Sequence, residues 1–229
     1  MTTKAKNSPR TKLAEYRRKR DFTKTREPAG GEGTARQSAP KKRAPSLHFV
    51  VQKHDASQLH FDFRLELDRV MKSWAVPKGP SYDPSVRRLA MEVEDHPIEY
   101  NTFEGTIPEG EYGGGTVMLW DHGTYEAESG GVEALREGYA RGDLKFVLHG
   151  ERLRGGWVLV RMKRPGRPQW LLIKHRDEYA TSASDIVADA TTSVVSGRTR
   201  DEITAGKRGP APSTRRGARR KTTPPRRSK

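Results

Sequence analysis

The 229-residue sequence has no cysteine, which excludes disulfides, zinc ribbons and thiol catalysis. Any bound metal must therefore sit on His, Asp or Glu. No run approaches the ~18 consecutive apolar residues of a membrane helix. The polar, basic stretch 1–20 has no apolar core and is not a secretory signal. The expected setting is cytoplasmic. Hydrophobic residues make up only 32%, too few for burial along the whole chain, so a compact centre with poorly ordered ends is expected. No internal repeat is present. The Gly-rich stretch 105–115 lacks the Lys-Ser/Thr ending of a nucleotide phosphate loop and reads as loop backbone.

Positive charge is abundant but segregated. Residues 1–46 carry 14 Lys and Arg against 4 acids, and residues 196–229 carry 12 against 2, whereas 47–195 is mildly acidic, with 18 against 23. Polycationic ends on an acidic body attract nucleic acid by counterion release, without sequence preference. Solubility alone is the plainer explanation, and the segregation weighs against it. The chain is thus expected to be nucleoid-associated and monomeric, with a basic segment 1–46, a central domain 47–195 and a disordered basic tail 196–229. Within the first segment only 13–22 has ordered character, with Leu13, Tyr16 and Phe22 as anchors.

The centre reads as short strands separated by turns. Residues 59–67 alternate cleanly, with Leu59, Phe61, Phe63, Leu65 and Leu67 on one face and His60, Asp62, Arg64 and Glu66 on the other. Further strands are predicted over 48–53, 72–76, 89–94, 98–103, 144–148, 157–162 and 170–174. A hairpin is predicted over 116–128, turning at Asp121-His122-Gly123. Residues 132–139 have helical spacing. Trp74, Trp120, Trp157 and Trp170 fall in strands and read as core. About eight strands, one or two short helices and no βαβ rhythm predict a mainly β fold, a compact antiparallel barrel or sandwich.

The chemistry concentrates between Gln52 and Arg64. A short turn at 55–58 would bring His54 back beside His60, and period-two geometry aligns His60, Asp62 and Arg64. Two imidazoles and a carboxylate make a first coordination shell for a divalent cation with positions left open. Arg64 could hold a phosphate oxygen with its planar fork. A solvated strand face also carries His, Asp and Arg, and the pattern alone does not decide between the two. In the second cluster, residues 94–100, Pro97 marks an edge or bend. His96 and Tyr100 share a side there and could hold or protonate a phosphoryl oxygen. An edge His with a half-buried Tyr is the commoner arrangement.

These residues, with Ser73-Trp74-Ala75-Val76-Pro77-Lys78-Gly79-Pro80-Ser81, Phe103-Glu104-Gly105, Gly110-Glu111-Tyr112-Gly113, residues 13–30 and the strand 170–174, resemble the phosphoesterase domain of bacterial DNA ligase D. The similarity covers roughly residues 13–180. It implies a β-barrel enzyme with one divalent metal, usually Mn²⁺, that removes a 3′ ribonucleoside and then the 3′-phosphate to leave a 3′-OH on DNA or RNA-terminated DNA. By resemblance His54, His60 and Asp62 are the metal ligands, and Arg64, His96 and Tyr100 contact the scissile phosphate. Arg20, Asp21 and Glu27 match positions that close over the site, so residues 13–30 would be ordered. Gln52, Lys78 and Arg88 match polar positions near it. The chain begins at Met1 and has no room for ligase or polymerase domains, so it reads as a stand-alone version. Coupling to a ligase, polymerase or end-binding protein would then be in trans. The alternatives are a non-catalytic module recruiting repair enzymes to DNA ends, and a phosphoesterase acting on RNA or small esters. The first would have no need of five chemically competent side chains, and the basic tails weigh against small esters.

Overall fold

The computed structural model describes residues 9–31 and 46–207. Alternating apolar side chains build nine strands: β1 (Leu47–Asp55), β2 (Leu59–Leu67), β3 (Val70–Val76), β4 (Arg88–Glu92), β5 (Gly105–Ile107), β6 (Gly115–Ala127), β7 (Asp143–Gly150), β8 (Arg154–Arg161) and β9 (Gln169–Lys174). They lie in the order β1-β2-β3-β4-β9-β8-β7-β6-β5, and β6 pairs back onto β1. Eight antiparallel strands thus close into a barrel, which removes open sheet edges. The ninth, β5, lies outside and pairs with the first residues of β6. The predicted barrel is present. Its helices are short: α1 (Pro9–Lys12), α2 (Ala14–Arg18), α3 (Gly131–Arg141), α4 (Ile186–Asp189), α5 (Arg200–Thr204) and a 3₁₀ turn at Ile98–Thr102. No helix among the described residues is long and apolar enough to cross a membrane.

The inward face of β2 places Phe61, Phe63, Leu65 and Leu67 in the core with all four tryptophans. Trp74 meets Trp170 edge to face at 5.7 Å, and Tyr139 of α3 stacks on Trp170 at 5.8 Å. Close-packed indoles of this kind each anchor ~3–5 kcal/mol against truncation, so the barrel is a rigid base for what its outer face carries.

Three sequence expectations are corrected. Residues 116–128 do not form a hairpin, because β6 runs straight through Asp121-His122-Gly123. The Asp121 carboxylate, which suggested a turn, is buried and accepts the backbone N–H groups of Arg152 and Leu153 at 2.9 and 2.7 Å. Gly123 is needed for close packing: a Cβ there would lie 2.3 Å from the His149 carbonyl oxygen. Residues 98–103 do not form a strand either, because after Pro97 the chain coils into the 3₁₀ turn. The described fold also continues past residue 196. Ile203 of α5 is buried, Thr204 Oγ1 is 2.8 Å from Thr116 Oγ1, and Arg198 pairs with Glu104 at 2.8 Å. Much of the basic sequence expected to be disordered, residues 1–8, 32–45 and 208–229, lies outside the described residues.

Candidate metal and phosphate site

β1 and β2 form a hairpin whose register sets His54 opposite His60 and Gln52 opposite Asp62. Since successive side chains alternate faces, His54, His60, Asp62 and Arg64 share the outer face of the barrel. Each imidazole is oriented by a carbonyl, which can only accept a hydrogen bond. His54 donates its Nε2–H to the Gly113 carbonyl at 2.9 Å, and His60 donates its Nδ1–H to the Gln58 carbonyl at 2.9 Å. That turns His54 Nδ1 and His60 Nε2 toward the two Asp62 oxygens, 3.4 and 3.6 Å away. One ligand atom from each of the three residues falls within 4.8 Å of the others. Two imidazoles, each held at one nitrogen by a carbonyl, and one carboxylate fit a divalent cation that keeps open positions. Burial works to raise the Asp62 pKa, but the Arg64 charge and the two histidines outweigh it and hold it well below the carboxylate range. Asp62 is therefore an anion.

Arg64 is buried, at 2% exposure. Its Nη2 donates to Asp62 at 3.0 Å, its Nε donates to Gln52 Oε1 at 2.9 Å, and its guanidinium lies 4.8 Å from the centre of the Tyr100 ring. Its Nη1 is buried with no partner among the described residues. Gln52 is held in turn by the Tyr100 and Phe103 carbonyls, to which its amide donates at 3.1 and 2.9 Å. Gln52 therefore orients Arg64 and does not face an open position.

The second cluster closes over the first. Met71 and His96 exchange backbone hydrogen bonds, which pins His96 beside β3, and its ring meets Tyr100 at 4.8 Å. His96 donates Nδ1–H to the Glu94 carbonyl at 2.8 Å, and its Nε2 accepts from Arg20 at 3.2 Å. Burial, then the charges of Arg64 and Arg20, push the His96 pKa well below its ordinary value, so the ring is neutral. The Tyr100 hydroxyl donates to Glu27 at 2.9 Å, and burial together with the Glu27 charge pushes its pKa well up, so it keeps its proton. Arg20 bridges Glu27 at 2.8 Å and Glu94 at 3.1 Å, and stacks 3.9 Å from the Tyr16 ring centre.

The outer face is thus not the solvated strand face that pattern alone allowed: Asp62, Arg64 and His96 are all buried. The structure brings together Arg20, Glu27, Gln52, His54, His60, Asp62, Arg64, His96 and Tyr100. Three expected residues stand apart. Asp21 is exposed, bonds Thr23 at 2.7 Å and pairs with Lys24 at 3.6 Å. Lys78 is exposed beyond the end of β3. Arg88 lies on β4 opposite Leu172, its Nε buried without a partner among the described residues. Sequence reading missed the Gly113 carbonyl, which has no side-chain signature. It also missed the structural role of Glu94, whose carboxylate takes Lys19 at 3.0 Å as well as Arg20, and to which the Tyr112 hydroxyl donates at 3.4 Å. The basic pair Lys19-Arg20, facing an otherwise acidic Glu94-Asp95, was the available signal.

Glu94 gives the docking of residues 13–30 a pH dependence. Burial works to raise its pKa, but hydrogen bonds and the charges of Lys19 and Arg20 prevail and lower it. A lowered carboxylate contributes stability that is present above its unfolded pKa and lost as pH falls through the folded one. Hydrogen exchange of residues 13–30 is therefore expected to rise at acid pH before that of β7–β9. Equal protection of both regions down to global unfolding would refute this.

A closed antiparallel barrel carrying a His/His/Asp cluster beside a buried arginine defines a β-barrel protein equipped for a divalent cation and an anionic group. Residues 52–161 match the family described as the DNA ligase D 3′-phosphoesterase domain, and the barrel of this chain belongs to that family. It is 49% identical over 191 residues to the multifunctional non-homologous end joining protein LigD of Pseudomonas aeruginosa, covering 82% of this chain and 21% of that protein. It is 44% identical over 150 residues to the multifunctional non-homologous end joining DNA repair protein LigD of Mycobacterium tuberculosis, covering 66% and 18%. The LigD of Mycolicibacterium smegmatis is 40% identical over 176 residues, covering 76% and 22%. The chain thus spans about a fifth of the length of these curated relatives.

Proposed function

We propose that this chain is a metal-dependent 3′-phosphoesterase that trims nucleic acid 3′ ends during end-joining repair, removing a terminal ribonucleoside and then the 3′-phosphate to leave a 3′-OH. The observation that carries the reading is the unpaired Arg64 Nη1, buried beside three converging metal-ligand atoms. A buried guanidinium proton without an acceptor is rare in a folded protein, and a phosphoryl oxygen is the acceptor its planar fork suits best.

His54, His60 and Asp62 would hold the cation, Mn²⁺ by family resemblance. When bound, such an ion polarises a phosphoryl oxygen and lowers the pKa of a coordinated water. The remaining work falls to this chain's own residues. Arg64, fixed by Gln52 and Asp62, presents Nη1 to the phosphoryl group and neutralises charge as the centre becomes pentacovalent. Neutral His96, whose Nε2 accepts from Arg20, has no proton to give there. Tyr100 keeps its proton and would serve a leaving oxygen by turning that proton away from Glu27, its partner here. Residues 13–30 exclude water from one side.

The test uses a 5′-labelled primer–template ending in one ribonucleotide, with Mn²⁺ or EDTA. Manganese-dependent shortening to a 3′-phosphate and then a 3′-OH is expected. Binding without cleavage under both conditions would replace this reading with that of a non-catalytic end-binding module.

A further inference from the structure

The two faces of β1 carry different chemistry. Lys53 precedes His54 and so points the other way, toward the barrel interior near its end. Its Nζ lies 5.7 Å from the centre of the Phe61 ring. Phe61 meets Trp120 edge to face at 5.3 Å, and the Arg152 guanidinium lies 5.3 Å from the Trp120 ring centre. Arg200 of α5 closes the rim by pairing with Asp55 at 3.1 Å. Two cations therefore lie against two touching aromatic rings, and Arg200, which also pairs with Asp201 at 2.9 Å, stands at the hairpin's Asp55.

The acids nearby are already engaged. Asp55 and Asp201 hold Arg200, Asp121 accepts backbone N–H groups of Arg152 and Leu153, and Glu151 is 3.2 Å from His122. Lys53 is thus left without a carboxylate partner among the described residues, beside an Arg152 Nη1 with no acceptor there. Lys53 Nζ has neither a hydrogen bond nor an ion pair among the described residues. Arg152 donates Nη2 to the Thr192 carbonyl at 2.7 Å, while its Nη1 is buried with no partner among the described residues. Cations that only propped the aromatic rings would not leave a buried donor unpaired.

We propose that Lys53, Arg152 and Arg200 form a second anion site that takes a backbone phosphodiester of the nucleic acid strand whose 3′ end lies at the His54/His60/Asp62 cluster. The proposal rests on the functional reading above and adds where the strand runs. Lys53 and His54 are adjacent, with Cα atoms ~3.8 Å apart. A strand leaving the cluster across the hairpin passes this rim. Charge at a fixed distance from the reacting end would then position the strand as well as attract it.

The test measures binding of the full-length protein to labelled oligonucleotides ending in a 3′-phosphate, each with one linkage near that end replaced by a neutral methylphosphonate. One linkage is expected to stand out, weakening wild-type binding about 3–10-fold when neutralised. Neutralising that linkage should have no further effect in Lys53→Met, which keeps an unbranched apolar stem over Phe61. Lys53→Met and Arg200→Gln should each lower the salt dependence of binding by about one ion. Hydrolysis of p-nitrophenyl phosphate should be unchanged in both. Equivalence of all linkages, or unchanged affinity and salt slope in variants that only melt earlier, overturns the site and leaves the functional reading standing. If Lys53→Met does not fold, the linkage scan on wild type and the half-buried Arg200→Gln still decide. A wild type that neither binds nor cleaves these ends overturns both.

Discussion

His60→Ala is expected to lower manganese-dependent 3′-end cleavage by about 10³-fold or more, equivalent to ~4 kcal/mol of barrel-anchored transition-state stabilisation, while leaving the melting temperature within a few degrees. The two halves follow from different features of the same side chain. His60 is the most exposed of the three candidate ligands, with 22% of its side chain accessible. Its one hydrogen bond among the described residues is to a carbonyl two residues away. Removing it opens no core cavity and leaves Asp62 paired with Arg64. What it does remove is one of the two imidazole lone pairs that make the cluster competent for a metal, so Mn²⁺ affinity by titration calorimetry should fall with activity. Wild-type cleavage by His60→Ala would sink the metal assignment. Lost cleavage with unchanged Mn²⁺ affinity would instead place His60 on the substrate.

The legible part of this molecule was the part where one physical constraint acts alone. β2 was predicted over its observed bounds because its inner face is all apolar and its outer face all polar, so period two decided the matter. The His54–His60 juxtaposition followed from the length of one turn. Reading failed where two constraints compete. Asp121-His122-Gly123 has turn composition, but Asp121 caps backbone groups of a neighbouring loop and Gly123 admits a neighbouring strand, so tertiary contacts overrode the local signal. Tyr100 does reach His96, though through a 3₁₀ turn after Pro97 and not along a strand. The residues themselves mark only 13–22 as ordered and leave 23–30 in a loose tail; resemblance orders the whole of 13–30. The structure supplies the reason: Tyr16 and Glu27 are buried, and Lys19 and Arg20 both find a counter-charge on Glu94, distant in sequence. No local window could register that pairing.

Arg64→Met is expected to be the most damaging single change at the site, abolishing cleavage and costing ~3–5 kcal/mol of stability without metal, because it strands a buried carboxylate. Asp62 would keep its desolvation and lose the charge that first offsets it. The stability loss should shrink when Mn²⁺ is saturating, since a cation on Asp62 supplies part of the missing charge, whereas activity should not return. Arg64→Lys separates these roles. An ammonium can pair with Asp62, but it lacks the fork that serves Asp62, Gln52 and an incoming phosphoryl oxygen at once. Thermal melts with and without Mn²⁺, beside cleavage rates, should therefore show Arg64→Lys recovering more stability than activity. If Arg64→Lys recovers both equally, Arg64 acts only as a counter-charge for Asp62, and the unpaired Nη1 is not the phosphate contact.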